Sequence, residues 1–99
     1  MYLVTGRFKF AEGSRSRAIE LMAEMVRIGK GHDGVGAYDF FEDLQQDHSF
    51  FLYVEWRSKE AHDLHFNSDE MQAIVPEFFD LLREPSDISY FDAHPTQTD

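Results

Sequence analysis

Residues 50–56 read Phe50-Phe51-Leu52-Tyr53-Val54-Glu55-Trp56, and this stretch decides the fold. Side chains of an extended strand alternate between two faces. Phe50, Leu52, Val54 and Trp56 therefore share one face, while Phe51, Tyr53 and Glu55 share the other. The first face is wholly apolar; the second is aromatic until it turns charged at Glu55 and Arg57. A strand apolar on both sides is usually covered on both sides. Helices can cover one of them. In a chain of 99 residues the other calls for a second subunit.

Upstream, Val35 to Phe41 has the β-branched and aromatic composition of a neighbouring strand, and the polar run from Glu42 to Asp47 reads as the hairpin loop between the two. Residues 2–10 also alternate, with Tyr2, Val4, Phe8 and Phe10 on one side and Leu3, Thr5, Arg7 and Lys9 on the other. Between these strands Ala18, Leu21, Met22, Met25 and Ile28 recur at steps of three and four, the apolar stripe of an amphipathic helix. Ser14 or Ser16 is placed to cap its start, and Gly29 or Gly31 to stop it. Downstream, Ser58 opens a short helix reaching His65, with Glu60 in the first turn where it suits the helix dipole. Asn67-Ser68 restarts the chain into a longer helix whose inner face is Met71, Ile74, Val75, Phe78, Phe79 and Leu82. Pro76 predicts a kink or restart inside it, Pro85 ends it, and Ile88 to Phe91 make a last strand. The order β-α-β-β-α-β is the ferredoxin-like α+β plan, an antiparallel sheet with helices on one face. Residues 1–93 are expected to form this domain and residues 94–99 a flexible tail.

Composition limits the function. The net charge of −10 disfavours nucleic acid, and no basic stripe with interleaved aromatics offsets it. Residues 1–30 nevertheless carry a net +3, an asymmetry that can help the first strand and helix dock on their neighbours or be plain solvated surface. No cysteine is present, which excludes disulfides, thiolate catalysis and thiolate metal sites. No apolar run is long enough for a membrane span and no signal-peptide pattern opens the chain, so a cytoplasmic protein is expected. Ten Phe and an aromatic share of 15% exceed what one thin core requires, pointing to a pocket, a subunit interface or both. Gly29, Gly31, Gly34 and Gly36 lie between a helix and a strand, the reverse of the order a phosphate-cradling loop needs.

From Phe51 to Ser68 the chain resembles the antibiotic biosynthesis monooxygenase family, which includes quinol monooxygenases. Tyr53, Glu55, Trp56, Ser58, His65 and Ser68 stand where members carry an aromatic strand end with a Glu, a helix cap, a His and a Ser/Thr-Pro or Ser-Asp step. The likeness extends weakly over residues 2–92. It implies a dimeric α/β barrel in which two sheets pack face to face, with a pocket between sheet and helices. In some members it implies oxidation of phenols or quinols by O2 without metal or flavin; others are isomerases. A haem-degrading branch of the superfamily uses an Asn, a Trp and an axial His. Here Thr5 or Gly6, His65 or Phe66, and Ile74 or Val75 fall near those positions, so the axial ligand is missing.

The residues themselves suggest the following chemistry. His65, as a neutral imidazole, can accept a proton from a phenol, and the phenolate is electron-rich enough to react with O2. A His that ties the short helix to the sheet is the structural alternative. Glu55 can support His65 or act as an acceptor with a raised pKa, or it can simply pair with Arg57 or Arg7. Trp56, Tyr53, Tyr38, Phe40, Phe66, Met71 and Phe78 are candidates for the wall of a small aromatic-binding pocket, although a plain core would use the same residues. His62 and His65 share a helix face, but a metal needs at least a third well-placed ligand; no metal and no cofactor is expected. The expectation is a cofactor-independent monooxygenase and homodimer with His65 and Glu55 as catalytic residues. An isomerase or lyase using the same base, and a non-catalytic ligand-binding dimer, remain open from sequence.

Overall fold

Strand alternation puts residues 49–56 in the interior of a four-stranded sheet. The computed structural model describes residues 1–96. Its elements are β1 (Tyr2–Lys9), α1 (Arg15–Lys30), β2 (Val35–Glu42), β3 (Ser49–Trp56), α2 (Lys59–Phe66), α3 (Asp69–Asp80) and β4 (Asp87–Asp92). The strand order is β2-β3-β1-β4, and every neighbouring pair is antiparallel. This is the ferredoxin-like α+β arrangement. Residues 94–96 lie outside regular structure, and the rest of the expected tail falls outside the described residues.

Register sorts the side chains. Val4 faces Val54 and Tyr90, Val54 faces Tyr38, and Gly6 faces Leu52 and Ile88; all belong to the helix-covered side. Trp56, Phe10 and Phe78 are fully buried there. Burying each such side chain is worth roughly 1.5–3 kcal/mol or more. Phe78 of α3 meets Phe8 and Phe10 edge to face at 5.1 and 5.3 Å, which pins α3 against β1. The opposite side of the sheet carries Leu3, Thr5, Arg7, Asp39, Phe41, Phe51, Tyr53, Glu55, Ser89 and Phe91, with no helix over it.

Two arginines of the basic N-terminal third pair with acids of other elements. Arg15 of α1 pairs with Glu42 of β2 and Arg17 with Glu77 of α3, both at 2.5 Å. These pairs are exposed, so they set orientation more than stability.

Gly31 stops α1 as one of the two glycines was expected to, in a right-handed conformation, and Gly29 lies inside the helix. Other local expectations need correction. Ser14 is the N-cap of α1, but its side chain makes no capping bond. α3 continues through Pro76 with no restart. Pro76 and Gln72, whose carbonyl loses its usual partner, are both exposed, so water can satisfy that carbonyl. α3 also ends at Asp80, well before Pro85.

Candidate active site

Two serines place His65. Ser58 caps α2 by accepting the Ala61 N–H at 3.2 Å, fixing the short helix directly after Trp56 ends β3. Ser68 donates to the His65 carbonyl at 2.7 Å and accepts the Met71 N–H at 3.3 Å, so one hydroxyl closes α2 and caps α3. His65 is thereby turned inward and is only 3% exposed.

It faces an apolar cavity between the sheet and the helices. β2 contributes Tyr38 and Phe40, β3 Leu52, Val54 and Trp56, α2 His62, His65 and Phe66, and α3 Met71, Val75, Phe78 and Phe79. Val4, Phe8, Met25, Ile88 and Tyr90 complete it. The free volume is about 70 Å³. A cavity of roughly 150 Å³ is known to take up benzene, so a one-ring ligand requires some rim side chains to swing aside. The rim can do so: Phe66 and Tyr90 are exposed, and Met25 and Met71 are adaptable walls.

Three rings enclose the His65 imidazole. Trp56 lies at 4.8 Å, Tyr38 at 5.3 Å and His32 at 5.0 Å between centroids. The Tyr38 hydroxyl is 3.1 Å from His65 Nε2, and His65 Nδ1 is 2.8 Å from His32 Nδ1. Which nitrogen carries a proton is assigned from these partners. Among the described residues the Tyr38 hydroxyl has no other hydrogen-bond partner, and leaving a buried O–H unpaired costs roughly 1–3 kcal/mol. The O–H therefore donates to Nε2, His65 carries its proton on Nδ1, and that N–H donates to His32 Nδ1. Burial lowers the pKa of His65 to about 4, helped by the nearby His32 and His62. Burial pushes the Tyr38 hydroxyl up. At neutral pH both groups are uncharged.

Tyr38, Phe40, Trp56, His65, Phe66, Met71 and Phe78, singled out from sequence, come together around this space. Tyr53 and Glu55 do not. Because Val54 and Trp56 point inward, the residues next to them must point to the other side of the sheet. There the Tyr53 O–H donates to Glu55 at 2.7 Å, and the Ala37 N–H donates to the same carboxylate at 3.2 Å. These bonds hold the Glu55 carboxyl below its ordinary range, opposite to the raised pKa expected for a proton acceptor. Arg57 pairs with Asp33 at 2.9 Å, not with Glu55. His62 forms part of the cavity rim, 5.4 Å from the Tyr90 ring, with Nδ1 3.0 Å from Asp63. Among the described residues, no three His, Asp or Glu side chains converge to hold a metal ion.

Sequence reasoning missed His32. It sits in Gly31-His32-Asp33-Gly34, a connection with no periodicity to mark it, and meets His65 only through the fold. Gly34 helps bring them together. Its φ is +87°, and a Cβ there would stand 2.8 Å from Ala61 of α2.

The model for antibiotic biosynthesis monooxygenases matches residues 1–77. The chain belongs to this family. The uncharacterized protein sll1783 of Synechocystis sp. is 29% identical over 96 residues, covering 97% of this chain and 65% of its own length. The chain thus spans about two thirds of that relative. Among solved structures, Rv0793 from Mycobacterium tuberculosis superposes with a TM-score of 0.88 at 23% identity, covering 98% of each chain. SnoaB, a cofactor-independent oxygenase from Streptomyces nogalater, superposes at 0.85 with 14% identity, covering 99% of this chain and 97% of its own. At these identities the superpositions establish the shared fold. Membership of this family fits the monooxygenase class.

Proposed function

We infer that this protein is a cofactor-independent monooxygenase that oxidises a small, one-ring phenol or quinol with O2, using His65 and Tyr38 to take the substrate's hydroxyl proton. The observation that carries this reading is the Tyr38–His65 hydrogen bond at the wall of a largely apolar cavity, with His62 and Tyr90 out at its rim. A substrate hydroxyl finds a hydrogen-bonded pair there, and the aromatic rings beside it suit a flat ligand. Tyr38 accepts the substrate's proton as it passes its own to His65 Nε2. The anion left in an apolar space is a strong electron donor to O2, and exclusion of water protects the reactive intermediates. The stoichiometry needs no added reductant. Hydroquinone plus O2 gives hydroxyquinone plus water, one oxygen atom entering the ring and the other leaving as water.

The functional unit in this reading is a homodimer joined through the uncovered sheet faces. On that face Phe41, 54% exposed, lies beside Phe51, and Phe91, 49% exposed, lies beside Leu3. Exposed aromatics of this kind are what an interface core uses.

Oxygen uptake with hydroquinone as substrate tests the assignment. The wild-type protein is expected to consume O2 well above the uncatalysed rate, and His65→Ala to lose this activity while keeping its association state. Activity unchanged in His65→Ala removes the residue from the mechanism. Conversion of a substrate without O2 uptake would instead favour an isomerase.

A further inference from the structure

On the side away from its rim, two imidazoles stand between the cavity and bulk water. His65 lines the cavity on one side and, on the other, a surface depression shared with His32, Asp33, Arg57 and Glu60. His32 occupies that outer side, with 26% of its side chain exposed. At 2.8 Å the two Nδ1 atoms share one proton, which His65 donates. The remaining His32 nitrogen, Nε2, carries its own proton and lies 3.9 Å from Glu70 of α3. An unbroken line of hydrogen-bonding atoms thus runs from the Tyr38 oxygen in the cavity to the surface.

We propose that Tyr38, His65 and His32 form a proton relay that parks the substrate's proton on His32 while the substrate is an anion, and returns it later. This rests on the reaction inferred above. The substrate O–H gives its proton to the Tyr38 oxygen, Tyr38 gives its own to His65 Nε2, and His65 passes its Nδ1 proton to His32 Nδ1. Only O–H and N–H bonds exchange. The charges produced are one substrate anion and one His32 imidazolium, so the sum is unchanged. Reversing the sequence delivers the proton to the oxygen that leaves as water and restores all three starting tautomers.

The surroundings explain why the proton should not stop at His65. Burial holds that imidazole at about 4, so a charge stored there is strongly disfavoured. Because His65 releases one proton as it gains another, it never has to become a cation. His32 sits among exposed groups instead. Glu70 of α3 faces it; Arg27 of α1 opposes but is engaged by Glu24 and lies 3.8 Å from Glu70. Across the depression Arg57 and Asp33 pair with one another, and Glu60 of α2 adds a further negative charge. His32 is a positioning and proton-storing residue that acts through His65.

Long-range proton–nitrogen NMR of the resting, histidine-labelled protein tests the relay without a substrate. The expected result is an Nδ1–H tautomer for His65 and a scalar coupling between the two Nδ1 nitrogens across the hydrogen bond. A His65 protonated on Nε2 with no such coupling overturns the proposal. The transfer itself is read with nitrophenol, a one-ring phenol whose anion is yellow. Below the probe's own pKa the bound probe is expected to be ionised in the wild type and neutral in His32→Gln, whose amide can accept the His65 N–H but cannot take up a proton. Equal ionisation in both proteins also overturns it. Failure of hydroquinone oxidation alone would count against the reaction and not against the relay.

Discussion

The ring of Tyr38 occupies the place where a side chain at Gly29 would be: a Cβ built there would stand 2.3 Å from two of its carbons. Gly29 is buried in the last turn of α1, where glycine costs roughly 0.5–1 kcal/mol relative to alanine. The contact explains why a helix would carry that cost: the helix must come close enough for Tyr38 to reach His65. Gly29→Ala should therefore lower stability by about 1–3 kcal/mol, despite its better helix propensity. Urea unfolding measures this, and a more stable variant would contradict the packing argument.

His65 makes the fold sensitive to acid. Its imidazole titrates at about 4 in the folded protein and near 6.5 when unperturbed. Between those pH values the unfolded chain binds a proton that the folded chain does not, so stability falls as pH drops. The contribution is fully present above about pH 6.5 and lost progressively toward pH 4, amounting to about 3 kcal/mol. Thermal melts across this range should show a shallower decline in His65→Phe. Parallel declines in the two proteins would place the acid sensitivity elsewhere.

Tyr38→Phe removes one oxygen and little volume. It leaves His65 Nε2 without its partner, at a cost of about 1 kcal/mol. The larger effect is expected on turnover, a loss of roughly 10²-fold or more in kcat with hydroquinone, with KM little changed. Steady-state kinetics separates the two constants. A variant with full kcat would mean that His65 receives the proton directly.

The uncovered sheet face predicts an association state. Sedimentation equilibrium should give a dimer mass for the wild type, and Phe51→Asp should give a monomer with the secondary structure retained. Phe51 is the residue to change because it lies between Phe41 and Arg7 on that face and does not touch the cavity. A monomeric wild type would contradict the face-to-face arrangement.

Much of this architecture is legible in the sequence because alternation and capping are local. The two faces of β3, the apolar stripe of α1 and the caps at Ser58 and Ser68 each follow from a few neighbouring residues. Alternation alone, however, does not say which face meets the helices. Tyr53 and Glu55 were therefore as eligible for the cavity as Trp56, and only packing of the helices decides for Trp56. Pro76 does not restart the helix as the sequence allowed, and the Gln72 carbonyl that it leaves without a partner sits on an exposed turn that water can reach. His32 was invisible because its significance is a single distance to a residue 33 positions away.

The most direct test is turnover of hydroquinone under isotopically labelled O2, with the label traced by mass spectrometry. A monooxygenase of the kind inferred here places one labelled atom in the hydroxyquinone and the other in water, and His65→Ala yields neither above background. Labelled hydrogen peroxide with an unlabelled quinone, or no O2 consumption at all, would contradict the account.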